Sequence, residues 1–158
     1  MNLSAGVRIL DDPADLAAHA SELVAERLGE AIERTGRASL ALAGGSTPRR
    51  LYETLAARHA DPELWRHVTL VAGDERCVPA DDPESNQRMI GETLLAAEGI
   101  RRARWLAVPT ELEPAEAARR HAEALRELVP PGGQVPRLDV TVLGMGADGH
   151  TASLFPGS

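Results

Sequence analysis

Lysine is missing from this chain of 158 residues; all 17 basic residues are arginine. No Schiff base can therefore form on a lysine side chain here. There is one cysteine, Cys77, which excludes an internal disulfide framework and a thiolate metal cluster. Aromatic residues make up 3%, so the core has to be assembled from Leu, Val, Ile and Ala. An excess of positive charge is also lacking. The formal net charge of −7 argues against general affinity for nucleic acid, whose phosphates require a basic face, while leaving room for a local anion site. No apolar run approaches the length of a membrane span, and residues 1–10 lack a basic start followed by a long apolar stretch. The expectation is a cytoplasmic protein with neither a membrane nor a nucleic acid as partner.

What is present is an alternation of short apolar runs and amphipathic stretches. Residues 7–10 read as a short strand. Asp12-Pro13 reads as a helix start and Thr35-Gly36 as its end, with Leu16, Ala20, Leu23, Val24, Leu28, Ala31 and Ile32 on one face. Strands are expected at 39–43, 68–72, 105–108 and 140–143. Helices are expected from Pro48 to about Ala57, after the cap Ser85 with Met89, Ile90, Leu94 and Ala97 inward, and from Pro114 to about Val129 with Ala118, Ala122, Leu125 and Leu128 inward. Residues 130–136 read as a connector. Strands alternating with helices imply an α/β fold, a parallel sheet with helices on both faces.

Three loops at the carboxyl ends of expected strands carry candidate chemistry, since open α/β sheets keep their ligands at that edge. The first is Gly44-Gly45-Ser46-Thr47-Pro48. Gly44 and Gly45 let the backbone approach a ligand. The free N–H groups of the helix start suit a phosphate, with the Ser46 and Thr47 hydroxyls as further donors. The plainer alternative is a tight turn with a Ser/Thr helix cap. The Gly-Lys-Ser/Thr ending of a P-loop is absent. The second loop is Gly73-Asp74-Glu75-Arg76. Arg76 is fit to grip a phosphate or carboxylate through its planar fork, and Asp74 to orient a hydroxyl or a histidine; the alternative is a solvated salt bridge. The third is Gly144-Met145-Gly146-Ala147-Asp148-Gly149-His150. His150 is a natural general base, and the glycine N–H groups are potential oxyanion donors; the alternative is a histidine satisfied by a backbone carbonyl. His19, His59, His67 and His121 lack a ligand-spaced partner, so no metal site is expected. A Cys–His hydrolase built on Cys77 is weighed against a small buried cysteine and set behind it. Trp65 and Trp105 read as core or edge packing, and Arg101-Arg102-Ala103-Arg104 as a solvated turn.

Taken together, these loops, with Ser85-Asn86 and the terminal run Thr151-Ala152-Ser153-Leu154-Phe155-Pro156-Gly157, closely resemble the 6-phosphogluconolactonase family from about Leu40 to the last residue. The resemblance implies a modified Rossmann-like α/β fold shared with glucosamine-6-phosphate deaminase. It also implies hydrolysis of 6-phospho-D-glucono-1,5-lactone to 6-phospho-D-gluconate in the oxidative pentose phosphate pathway, with no metal or organic cofactor. The deaminases continue Asp-Glu with tyrosine, where this chain has Arg76, and carry a proton-shuttling glutamate where it has Phe155.

The implied roles are phosphate binding by the backbone of Gly44, Gly45, Ser46 and Thr47 with Arg76, and water activation by His150. Oxyanion stabilisation falls to N–H groups around Gly144 and Gly146 or to Arg76. Asp74 or Asp148 fixes the histidine or holds a substrate hydroxyl. Family members extend well beyond this tail, so residues 1–158 are expected to form a single lactonase domain, incomplete at the C-terminus, with the C-terminal third of the family fold absent. A non-catalytic sugar-phosphate-binding fragment and a glucosamine-6-phosphate deaminase stand as alternatives. Oligomeric state is left open, a monomer included.

Overall fold

The computed structural model describes residues 6–128 and 133–157. Its first helix, α1 (Pro13–Thr35), starts where Asp12 accepts hydrogen bonds from the backbone N–H groups of Ala14 and Asp15, with proline in the first turn. It stops at Gly36, whose left-handed backbone closes the last turn onto the Ile32 carbonyl. Strand β1 (Ala38–Leu42) follows, then α2 (Ser46–Arg58), the single turn α3 (Pro62–Trp65) and β2 (Val68–Ala72). After a long loop come α4 (Asn86–Glu92), two 3-10 turns, β3 (Arg104–Leu106), α5 (Pro114–Leu125) with a closing 3-10 turn, and β4 (Val140–Thr141).

The four strands form one parallel sheet in the order β3-β2-β1-β4. β1 is central and buried along its whole length. Ala38, Leu40, Leu42, Val68 and Leu70 point into the main core with Val24, Leu28 and Ala31 of α1 and Leu51, Tyr52 and Leu55 of α2. Ala41 and Val71, on the opposite face of the sheet, are buried too. Burying the largest aliphatic side chains contributes about 1.5–3 kcal/mol each. Trp65 sits in this core with its indole N–H donated to the His59 carbonyl at 2.5 Å. The Tyr52 hydroxyl donates to the Ala43 carbonyl at 2.8 Å, and burial pushes its phenol above the ordinary value of 10.0.

The short edge strand β4 is fastened by one side chain. Asp139 Oδ2 accepts from the backbone N–H and the hydroxyl of Ser39, both at 2.9 Å. Arg34 of α1 donates to Asp139 Oδ1 at 3.2 Å. These bonds join residues 100 and 105 apart in sequence.

Several expectations are corrected. Residues 7–10 form no strand: Val7 and Ile9 are exposed, and the segment pairs with neither edge strand, β3 nor β4. The helix after Ser85 ends at Glu92, before Leu94 and Ala97. There the Thr93 hydroxyl bonds back to the Met89 carbonyl at 2.7 Å, a local competitor for the helix ladder. On α5 the buried residue is Ala117, whereas Ala118 and Ala122 are exposed, because alanine all round the helix leaves its phase undetermined. Leu16 and Leu23 of α1 are largely exposed. α2 begins two residues earlier than expected, and α3 was not anticipated. The residues expected to end α5 at Val129 and part of the 130–136 connector lie outside the described residues.

Candidate active site

The loops following β1, β2 and β4 meet over one open cleft of about 860 Å³ at the carboxyl edge of the sheet. Every residue of the three motifs lines it except Gly73, Glu75, Ala147, Asp148 and Gly149.

On the β1 side, Gly45 caps α2 with a φ of 106° and supplies no side-chain cap. That backbone favours glycine. The Ser/Thr cap expected as the plain alternative is therefore not formed. The N–H groups and hydroxyls of Ser46 and Thr47 have no intramolecular hydrogen bond among the described residues, and Pro48 has no N–H to offer. Arg50 also lines the cleft. It is four residues past Ser46, so it shares a helical face with it, and its side chain leans back over the first turn. That i,i+4 spacing was readable in the sequence.

On the β2 side, Arg76 lines the cleft and has no carboxylate partner among the described residues. The salt-bridge alternative for this loop is thus overturned. Asp74 is held from two directions: Ser153 donates to its Oδ2 at 2.8 Å, and Asn86 Nδ2 to its Oδ1 at 3.3 Å and its carbonyl at 3.1 Å. Asn86, at the start of α4, is buried and forms part of the cleft wall. It lies so close to Gly44 that a Cβ there would sit 1.9 Å from its Oδ1.

On the β4 side, His150 Nδ1 lies 2.5 Å from Asp148 Oδ1. The bond from His150 holds the Asp148 carboxyl below its ordinary value. A carboxylate at Nδ1 fixes the tautomer with the proton there and leaves Nε2 as the basic nitrogen. Nε2 has no hydrogen bond among the described residues. The imidazole rests on Phe155, with ring centroids 4.8 Å apart and planes inclined by 34°. A tight turn closed by Thr151 and Leu154, with Ala152 at φ 49°, carries Ser153 to Asp74. The Gly146 N–H, expected among the oxyanion donors, is committed to the His150 carbonyl at 2.8 Å. The N–H groups of Gly144 and Met145 have no such partner among the described residues.

Of the two acids considered for His150, Asp148 is at the ring, and Asp74 is bonded to Ser153 and Asn86 instead. Cys77 is exposed rather than buried and does not line this cleft. His19 contacts Arg8, and His59 approaches Glu22. Among the described residues no group of three His, Cys, Asp or Glu is placed to hold a metal ion, and no helix is long and apolar enough to cross a membrane. Asn86, Ser153 and Arg50 are the site residues that residue-by-residue reading passed over. The signal for Ser153 was absent, because its partner is 79 residues away in sequence.

Fold and cleft define a parallel α/β protein with an anion-ready helix start facing a His–Asp pair across the carboxyl edge of the sheet. The sequence profile described as glucosamine-6-phosphate isomerases/6-phosphogluconolactonase matches residues 11–158, and the chain belongs to that family. A curated 6-phosphogluconolactonase of Rhizobium meliloti is 42% identical over 156 residues, covering 98% of this chain and 63% of its own length. One from Nostoc is 40% identical over 152 residues, covering 95% and 62%. Among solved structures, a 6-phosphogluconolactonase from Trypanosoma brucei superposes with a TM-score of 0.80 at 36% identity, covering 96% of this chain and 63% of that one. The chain thus spans less than two thirds of the length of these curated relatives.

Proposed function

We propose that this chain carries the phosphate-binding and proton-transferring parts of a 6-phosphogluconolactonase, a cytoplasmic enzyme that hydrolyses 6-phospho-D-glucono-1,5-lactone. The observation that carries this reading is one cleft shared by the N–H groups of Ser46 and Thr47 and the Arg76 guanidinium, all without a partner among the described residues, and by the imidazole of His150, which Asp148 holds from behind. The sugar phosphate rests on 44–47 at the helix start, where N–H groups and helix dipole favour an anion, and Arg76 reaches it from the β2 loop.

His150 Nε2 takes a proton from water as the water oxygen bonds to C1, and the carbonyl electrons move onto its oxygen. Asp148 stabilises the imidazolium. The N–H groups of Gly144 and Met145, or Arg76, receive the oxyanion. As the carbonyl reforms, the bond from C1 to the ring oxygen breaks, and the proton on His150 passes to that oxygen. A positioned base contributes about 10²–10⁴-fold and an oxyanion donor about 10²–10³-fold. Phe155 against the imidazole, where a deaminase would need a second acid, supports the lactonase over the amine-releasing reaction.

The test is fresh lactone offered to wild type and to His150→Ala, with calorimetry on 6-phosphogluconate beside it. His150→Ala should lose about 10²–10⁴-fold in kcat and keep its affinity for the product. A wild-type chain that neither hydrolyses the lactone nor binds 6-phosphogluconate overturns the proposal; so does ammonia release from glucosamine 6-phosphate.

A further inference from the structure

Glu75 stands between two residues of the cleft, Asp74 and Arg76, and is not itself in it. Its carboxylate is saturated. Oε1 accepts from the Arg76 N–H at 2.7 Å and the Asn86 N–H at 2.8 Å; Oε2 accepts from the Gln87 N–H at 2.7 Å and the Ser85 hydroxyl at 3.2 Å. A carboxylate has about four acceptor sites, so none is left for a proton or a substrate. These charge-assisted bonds are the strong kind, and they lie on both sides of a loop that otherwise has to span from β2 to α4. What they fix is the first residue of α4. Asn86, held there by its backbone, places its carboxamide on Asp74 and against the Gly44 backbone. Asp74 in turn receives Ser153 from the β4 arm.

We infer that Glu75 is a positioning residue that, through Asn86, sets the spacing between the phosphate-binding loop at Gly44, the Asp74–Arg76 arm and the histidine loop. This deepens the lactonase reading and rests on it for the catalytic consequence, while the geometry it asserts can be read without any turnover. A purely local role, capping α4 for stability, would keep the effects of losing Glu75 at its four partners.

The full chain is labelled with ¹⁵N and compared as wild type, Glu75→Ala, Glu75→Gln and Arg88→Ala. Arg88→Ala is the matched control: it removes bonds to Glu92 within α4 and to the Asp81 carbonyl, outside the cleft. In Glu75→Ala, amide resonances should move at Gly44 and Ser153, which Glu75 does not touch, and kcat/KM should fall by about 10–100-fold, the scale of misplacing catalytic groups by about 1 Å. Glu75→Gln, which keeps one acceptor oxygen, should restore part of both. Arg88→Ala should leave Gly44 and Ser153 where they are. Shifts confined to Arg76, Ser85, Asn86 and Gln87 overturn the inference whether or not the lactone is hydrolysed. If Glu75→Ala does not fold, the same comparison is read from Glu75→Gln. A wild type that neither hydrolyses the lactone nor binds 6-phosphogluconate defeats the functional reading only, and the resonances still decide the role of Glu75.

Discussion

Replacing Gly146 by alanine should disable the histidine loop without unfolding the protein. The φ of Gly146 is not among the positive values, so backbone strain is not the reason. A Cβ at this position would lie 2.1 Å from His150 Cε1, 2.2 Å from its Nδ1 and 2.8 Å from Asp148 Oδ1. Carbon atoms settle about 3.5–4.0 Å apart, so the ring has to retreat by about 1.5 Å. That retreat breaks the 2.5 Å contact to Asp148 and moves Nε2. Overpacking in a tight core costs about 1–3 kcal/mol; here the imidazole side chain is 35% exposed and can swing outward, so the stability cost falls at or below the lower end. The catalytic cost does not shrink in the same way, because a displacement of about 1 Å is worth about 10²-fold. Three measurements separate the two effects: kcat on fresh lactone, the imidazole proton resonance of His150, and a urea melt. The expected pattern is a large fall in kcat, a lost Nδ1 proton signal and an almost unmoved midpoint. Unchanged turnover with an unchanged imidazole signal would refute the steric argument.

Asp139→Ala removes the bonds from Ser39 and Arg34 that fasten β4 to β1. It should lower stability by about 1–3 kcal/mol, read as a urea midpoint shift; an unmoved midpoint would show that the two-residue pairing suffices. On α5, hydrogen bonds from Arg119 and Arg120 hold Glu116 at about 2, against an ordinary 4.5. A depressed carboxyl stabilises the fold above its unfolded value, and the contribution is lost as pH falls from 4.5 toward about 2. Protection factors of the α5 amides, with the intrinsic pH dependence of exchange divided out, should fall over that interval in wild type and lose this dependence in Glu116→Gln, and identical acid profiles would contradict the assignment.

What could be read in the sequence is what local chemistry decides. The ends of α1 follow from Asp12-Pro13 and Gly36, and β2 from a run of β-branched and aliphatic residues at 68–72. Asp61-Pro62 carries the same start signal as Asp12-Pro13, and it opens α3. The strand expected at 7–10 failed because a short alternating run does not reveal whether a sheet edge is free to receive it. The three loops were legible because each follows an apolar run and precedes a helix or a turn. Their internal wiring was not. Glu75 looked like one member of a charged cluster, yet it accepts backbone N–H groups of α4. The choice between Asp74 and Asp148 depended on Ser153 reaching Asp74 across 79 residues, a matter of tertiary packing alone.

The pairing of β4 with β1 has a geometric consequence for the histidine. Asp148 and His150 are two residues apart on one loop, so the shape of the pair travels with that loop. Its location does not: Leu40 opposite Val140 and Ala41 opposite Thr141 are the pairings that index the loop against the sheet. Each step along a parallel strand is about 3.3 Å, and a slip of a single step also turns every side chain to the other face. The distance between His150 and the first turn of α2 is therefore counted in whole residues. On the proposed lactonase reading, a ligand held at one end has its reacting atom gauged by a ruler whose zero is set where Ser39 meets Asp139.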